Sequence, residues 1–253
     1  MPCSKDDTGT CCGKCNEVVA VIPVLGRRPL LKHTITRLLQ KNKVGHVICV
    51  GHAGKDQRVC EEAGAEFLHH PNEPLGAKWN SGFQHAQKYS PIACLFVGSS
   101  DWLSDNWLPK MVPHLKEFDL IGKPGCHFLD INQGNYRACE WQGYTGARAN
   151  ESIGIGRLIS ARALSLLKWK PFDDHLNKSL DHSMQQRVSE AGGQLKIIND
   201  PETIALSIST DQWDNKHKFQ DHVTGELQRK SSTIVNVDEF LKNNFPEAYH
   251  IFT

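Results

Sequence analysis

The sequence predicts an α/β protein, a single domain on a mostly parallel, twisted sheet flanked by helices. Three observations predict it. Residues 18–24 are a continuous apolar run rich in β-branched side chains, the pattern of a strand buried on both faces, and residues 44–50 read as a second strand. Between such strands lie segments with helical spacing of apolar positions. The opening order β-α-β-α-β then calls for parallel strands joined by right-handed crossovers.

Taken in order, Val18-Val-Ala-Val-Ile-Pro-Val24 is the first strand, with Pro23 near its end, where a missing N–H is tolerated. Gly26-Arg-Arg-Pro29 is a loop. Residues 30–40 place Leu31, Thr34, Ile35, Leu38 and Leu39 on one helical face. A strand over 44–50, a turn over 51–54, a helix over 55–63 stopped by Gly64 and a short strand over 65–69 follow. Residues 71–78 read as a loop and 79–89 as a helix. Cys94 to Val97 is a buried strand that breaks at Gly98 and delivers Ser99, Ser100 and Asp101 at its carboxyl end. A helix is expected behind Ser104 or Asp105, both good N-caps. Residues 119–122 form another strand. The glycine-rich stretch 123–155, with Tyr136, Trp141 and Tyr144, reads as a strand-and-loop platform of the kind that carries binding loops. A helix over 159–169, a loop over 171–180 rich in Asp, His and Asn, a helix over 181–191 ended by Gly192-Gly193 and a strand over 195–198 come next. From Pro201 the pattern weakens, and 237–243 closes with one or two amphipathic turns. The organisation expected is a Cys-rich tail over 1–16, the main domain over 17–225 and a helical extension over 226–253 packed on it.

Composition narrows the function. Lys plus Arg number 29 against 28 Asp plus Glu, a net charge of +1, which argues against a protein that grips nucleic acid through a broad basic field. No apolar run is long enough to span a membrane. The N-terminal residues lack the apolar segment of a secretory signal, so a cytoplasmic setting is expected, the host cytoplasm if the protein is viral. Cys49 and Cys94 fall inside predicted strands, where a free thiol acts as a small hydrophobe, and the scatter of the nine cysteines fits a reducing compartment. Cys3, Cys11, Cys12 and Cys15 crowd the tail, and Cys12-Gly-Lys-Cys15 is a CxxC knuckle. A small Zn²⁺ site and a plain thiol-bearing tail both remain open there.

Several residues point to a phosphate-bearing ligand. In open α/β sheets, ligands collect outside the carboxyl ends of the strands. A carboxylate at that edge, Asp101, suits a divalent ion held against phosphate oxygens. Equally, it caps a turn. Arg27 and Arg28 leave the first strand at the same edge, and guanidinium groups pair well with phosphate. Leu75-Gly-Ala-Lys78 puts a glycine and a cation before a helix, whose N-terminus favours anions. The spacing of a Walker A loop is absent, and no GxGxxG follows the first strand, so a dinucleotide cofactor is disfavoured.

Four stretches give these residues a family. They are Val21-Ile-Pro-Val-Leu-Gly-Arg27, Pro74-Leu-Gly-Ala-Lys-Trp-Asn-Ser-Gly82, Val97-Gly-Ser-Ser-Asp-Trp-Leu103 and Leu180-Asp-His-Ser-Met-Gln-Gln-Arg-Val188 with its following Gly-Gly. In this order they resemble family 2-like glycosyltransferases of the GT-A (nucleotide-diphospho-sugar transferase) fold, and in particular the compact phage and viral type. The resemblance covers most of residues 17–200.

What the resemblance implies is a transferase that moves a sugar from a nucleotide-diphosphate sugar, UDP-linked most often, to a hydroxyl acceptor, with inversion. It assigns the nucleoside to Pro23, Val24, Arg27 and Arg28, the extra arginine leaving the matching one open. It assigns the rest of the donor pocket to Gly76, Lys78, Asn80, Ser99 and Ser100. Asp101 becomes the ligand of Mn²⁺ or Mg²⁺ bridging the diphosphate, with His217 as a second ligand. Two positions that are acidic in many relatives are Ser99 and Ser100 here, which lowers the expected metal affinity. Asp181 aligns with the general base, and Asp173, Asp174, His175 and His182 are its rivals nearby. Trp141 and Tyr144 are the expected acceptor contacts. The acceptor is a glycan or, in the alternative, a hydroxymethylated base in DNA. A nucleotide-sugar-binding protein that has lost catalysis is the other alternative, motivated by the two serines.

Overall fold

A computed structural model gives the fold and describes residues 17–132, 135–209, 219 and 232–252. The chain runs β1 (Val18–Val24), α1 (Arg28–Gln40), β2 (His46–Gly51), α2 (Lys55–Glu62), β3 (Glu66–His69), α3 (Leu75–Ala86), β4 (Ala93–Phe96), β5 (Asp101–Leu103), α4 (Trp107–Met111) and β6 (Leu120–Gly122). It continues with β7 (Cys126–Asn132), β8 (Asn135–Trp141), β9 (Leu158–Ser160), α5 (Ala161–Leu166), α6 (Leu180–Glu190), β10 (Leu195–Ile197), β11 (Ala205–Ser209), β12 (Ser232–Val235), α7 (Val237–Asn244) and α8 (Pro246–Phe252).

Among the described residues the strands make two sheets, one ordered β10-β6-β9-β4-β1-β2-β3 and one ordered β12-β8-β7-β11-β5. In the first, β1 pairs in parallel with β2 and β4, β2 with β3, and β6 with β10, while β9 runs antiparallel between β4 and β6. The second is built on the β7–β8 hairpin. There β11 lies parallel to β7 and antiparallel to β5. β4 belongs to one sheet and β5 to the other, so the chain changes sheets across residues 97–100.

The continuous apolar run of β1 has its explanation in two cores. Ala20, Ile22 and Val24 pack on one face with Leu31, Ile35 and Leu38 of α1. Val19 and Val21 pack on the other with Trp79 and Phe83 of α3 and Met184 and Val188 of α6. Each such large side chain contributes about 1.5–3 kcal/mol when fully buried. Gly82 lets α3 approach: a Cβ there would lie 2.5 Å from the Val21 side chain. A third cluster seats Phe240, Leu241 and Phe245 on Trp102, Leu129 and Leu206 of the second sheet.

Several boundaries differ from expectation. α3 starts at Leu75, directly behind Pro74, so Gly76 and Lys78 stand inside the helix and not in a loop. Asp101 both opens a strand, with Asp101, Trp102 and Leu103 paired to Ser207, Leu206 and Ala205, and closes the turn before it, its carboxylate accepting the Gly98 N–H. The helix expected behind Ser104 or Asp105 begins at Trp107, behind Asn106. The helix expected over 159–169 is split: Leu158–Ser160 is β9, and Ser160 caps α5 by accepting the Ala163 N–H at 3.0 Å. β11 fills part of the stretch after Pro201. The end of the chain adds a strand, β12, on β8 as well as two helices. The Cys-rich tail with Cys3, Cys11, Cys12 and Cys15, and with it the Zn²⁺ expectation, lies outside the described residues. Cys49, Cys60, Cys94, Cys126 and Cys139 are buried.

Candidate active site

A cavity of about 540 Å³ opens at the carboxyl ends of β1 and β4, bounded by the start of α3 and by the loop before α6. Pro23, Leu25 and Arg27 line one side, Asn72, Glu73, Leu75 and Lys78 another, Gly98 and Ser99 the floor, and Asn177 and Lys178 the far wall. Of the residues expected at the donor, Pro23, Arg27, Lys78 and Ser99 meet here.

The loop after β1 separates its two arginines. Gly26 and Arg27 both take left-handed backbone angles, with φ of 66° and 55°. For Arg27 that conformation costs on the order of 1 kcal/mol or more, a strain typical of ligand sites. It turns Arg27 to Ser100, whose Oγ accepts from Nη1 at 3.0 Å. Arg28 points away and pairs through Nε with Asp56 of α2 at 2.6 Å, and Asp56 also accepts the Gly26 N–H at 2.9 Å. Arg27 thus enters the cavity, while Arg28 braces the loop from behind.

Lys78 is buried, and its Nζ donates to the Val24 carbonyl at 2.7 Å and to Asn72 Oδ1 at 2.8 Å. Burial lowers its pKa to about 8, against the opposing pull of Asp56. An ammonium carries three N–H donors, so among the described residues one is left for a ligand. Val24 therefore serves through its backbone.

Gly76 and Asn80 do not line the cavity; they hold its far wall. A Cβ on Gly76 would sit 2.0 Å from the Asp173 carbonyl oxygen. Asn80 donates to the Phe172 carbonyl at 2.9 Å and to Asp174 Oδ1 at 2.8 Å, and accepts the Phe172 N–H at 3.1 Å. Asn177 Oδ1 accepts the Leu75 N–H at 2.7 Å. The loop over 172–178 is thereby moored on α3. Asn72, Glu73, Asn177 and Lys178 were not singled out in the sequence; only the richness of 171–180 in polar residues hinted at the last two.

Asp101 Oδ2 accepts the Gly98 N–H at 2.8 Å. Burial pushes its carboxyl up, opposed by the Gly98 amide, the Ser207 hydroxyl and the charge of Arg27. Among the described residues no three His, Cys, Asp or Glu side chains form a ready-made metal cage. A single half-buried carboxyl fits a Mg²⁺ or Mn²⁺ that arrives with a diphosphate and takes its other ligands from phosphate and water. His217 lies outside the described residues.

Asp181 stands in the first turn of α6, behind Ser179 at the N-cap position, so it does not cap the helix. A Cβ on Gly154 would touch both Asp181 Cβ at 3.6 Å and the Phe96 ring at 3.2 Å, and Phe96 ends β4. Asp181 thus neighbours the Phe96 ring across Gly154, while Asp101 bonds Gly98, two residues beyond the end of β4. The Tyr144 hydroxyl donates to Asp181 Oδ2, and Arg148 Nη2 lies 3.5 Å from that oxygen. The guanidinium of Arg148 covers the Tyr144 ring at 3.7 Å and pairs with Glu151, which in turn meets His182 at 2.8 Å. Buried Arg157 donates to the Asp181 carbonyl. Burial of Asp181 works against its ionisation, but Arg157, Tyr144 and Arg148 together hold its carboxyl below the ordinary value. Of the rivals, Asp173 accepts the His175 N–H at 2.9 Å, Asp174 joins Asn80 and Lys170, and His182 faces Glu151. Trp141 is 3% exposed and meets Tyr144 edge-on at 5.0 Å, so it backs the tyrosine.

The sequence profile of glycosyl transferase family 2 matches residues 19–175. No curated protein matches. Among solved structures, a 4-diphosphocytidyl-2C-methyl-D-erythritol synthase from Anaerococcus prevotii is similar at 11% identity and a TM-score of 0.47, over 85% of this chain and 99% of that one. A glucosyl-3-phosphoglycerate synthase from Mycobacterium tuberculosis, in complex with phosphoglyceric acid, is similar at 14% identity and a TM-score of 0.44, over 74% and 73%. A CMP:2-keto-3-deoxy-manno-octonic acid synthetase complexed with CTP is similar at 11% identity and a TM-score of 0.43, over 77% and 90%.

Proposed function

The chain belongs to glycosyl transferase family 2, and we propose that it moves a sugar from a UDP-linked donor onto a hydroxyl of a carbohydrate acceptor, with inversion. The observation that carries this reading is the cavity at the ends of β1 and β4, into which Arg27, Lys78 and Lys178 bring positive charge. A nucleoside diphosphate needs such charge, because the leaving pyrophosphate gains negative charge as the glycosidic bond breaks. Leu25, 62% exposed at the mouth, offers apolar surface to a base or ribose. A near-neutral chain favours a carbohydrate over DNA as acceptor.

In this reading Asp181 is the base. The acceptor oxygen attacks the anomeric carbon, the carbon–oxygen bond to the diphosphate breaks with its electron pair leaving on the diphosphate, and the acceptor proton passes to the Asp181 carboxylate. The hydrogen bond from Tyr144 marks where that proton is received: the phenol holds the place of the incoming hydroxyl. Arg157 and Arg148 keep the carboxylate ionised and oriented. Asp101, flanked by Ser99 and Ser100, would hold a divalent ion delivered with the donor. Such an ion supplies further charge neutralisation of the diphosphate.

Asp181→Asn should lower transfer by about a hundred- to ten-thousand-fold and leave UDP affinity within about twofold, read by calorimetry beside product formation. Tyr144→Phe should keep the activity and move the acid limb of the pH–rate profile upward, since the carboxyl loses one of the groups that depress it. Full transfer by Asp181→Asn would remove this residue from the mechanism.

A further inference from the structure

A second cavity, about 340 Å³, lies where β7 begins and β8 ends, under α7. Its walls are polar in a particular way. His127 and Glu140 are cross-strand partners and so project on the same face of the hairpin. The His127 ring stacks on Phe240 at 4.5 Å, and Asn244, one turn further along α7, stands at the rim with Asn199 and Gln142. Burial lowers the pKa of His127 to about 4, so the imidazole is neutral near pH 7 and offers one donor and one acceptor. Glu140 makes no hydrogen bond or salt bridge with a described residue, though it faces the Lys123 ammonium and the neutral His127 ring. The lysine is spent: its Nζ donates to the Asp200 carbonyl at 2.6 Å, the Thr203 carbonyl at 2.6 Å and Thr203 Oγ1 at 3.0 Å.

That inventory selects a class of ligand. An anion would meet the Glu140 carboxylate, and Lys123, the one Lys or Arg among the described lining residues, already spends its donors on the protein. A purely apolar group would strand a carboxylate and several amides. A pyranose suits both kinds of wall, since each hydroxyl donates to a carboxylate or amide oxygen, accepts from an amide N–H, and the C–H face lies on an aromatic ring. The volume falls at the small end of ligand sites, enough for one ring or two. The cavity is also connected to the chemistry. Trp141 lines it, Tyr144 packs edge-on against Trp141, and Tyr144 hydrogen-bonds Asp181.

We propose that this cavity is a carbohydrate subsite that seats a sugar unit of the acceptor distant from the reacting hydroxyl. The proposal rests on the glycosyl-transfer reading, but its test reads binding directly. The full chain is titrated with methyl glycosides of glucose, galactose, mannose and N-acetylglucosamine and with their disaccharides, observed by saturation-transfer NMR. UDP affinity is measured in parallel by calorimetry. At least one glycoside should bind. Glu140→Gln and Asn244→Leu should each weaken it about tenfold, the loss of about one good hydrogen bond. Neither change should alter UDP affinity, and in turnover both should raise KM for a disaccharide acceptor while kcat stays constant. Binding that ignores both substitutions, or a panel in which nothing binds, overturns the subsite. Absence of UDP binding instead overturns the donor reading, and the glycoside titration still decides the cavity.

Discussion

Lys78 shows how one side chain ties the architecture of the donor pocket to its chemistry. Its aliphatic stem is buried and its ammonium closes the end of β1 by bonding the Val24 carbonyl. The low pKa, about 8, is the consequence of that burial. The sign for binding is set by charge. Protonated Lys78 attracts a diphosphate, and a bound diphosphate raises the lysine's pKa, so binding takes up a proton when the pH is above about 8. Above the range near pH 6 in which UDP's own terminal phosphate ionises, UDP affinity should hold to about pH 7.5 and fall by up to about tenfold per pH unit above pH 8, measured by calorimetry. Lys78→Met should flatten that fall, and an unchanged slope would take the ammonium out of donor binding. The sequence singles out Lys78 as a cation beside a glycine near a helix start, and the structure sets it inside the first turns of α3 with its side chain lining the cavity. The sequence leaves Arg27 and Arg28 unresolved for a physical reason. Adjacent arginines are chemically identical, and only the left-handed backbone at residue 27 decides which one turns inward.

At the scale of elements, the far wall of the cavity depends on how α3 docks the loop over 172–178. Gly76 stands where the Asp173 carbonyl presses on the helix, and backbone cannot yield as a flexible side chain would. Gly76→Ala should push the loop outward, carrying Asn177 and Lys178 off the cavity. The expected result is a UDP affinity lower by about tenfold or more, the scale of one lost charged contact, with a stability loss of about 1–3 kcal/mol in urea unfolding. Retained affinity would show that the loop does not serve the donor. The motif around Gly76 was visible in the sequence, but its part in the fold was not, because the partner loop lies far along the chain. The same distance hid the short strands. β5 and β9 have three residues each and no periodicity to display, and they exist through pairing with β11, β4 and β6. The long elements, β1, α1, β2 and α6, were legible because their apolar spacing repeats often enough to be seen.

The molecule as a whole places its two carboxylates where the chain passes from the first sheet to the second. Asp101 opens β5 immediately after that passage, and Asp181 approaches the end of β4 from the other side through Gly154 and Phe96. The parallel half of the first sheet gathers strand ends for the diphosphate. The second sheet carries α7 against its own apolar face and lines the other cavity, at the start of β7 and the end of β8. Such a division makes the metal conditional. Asp101 alone cannot enclose an ion, since one of its oxygens is already engaged by the Gly98 amide, and the remaining ligands must come with the donor. Mn²⁺ alone should then leave the melting temperature unchanged. UDP at about a hundred times its dissociation constant should add about 2.7 kcal/mol, which is roughly 5–10 °C for a chain of this length. Mn²⁺ and UDP together should exceed UDP alone, and Asp101→Asn should erase that excess while sparing the effect of UDP. A rise with Mn²⁺ alone equal to the rise with both would mean a resident ion held by protein ligands, and Asp101 would then be one member of a larger set.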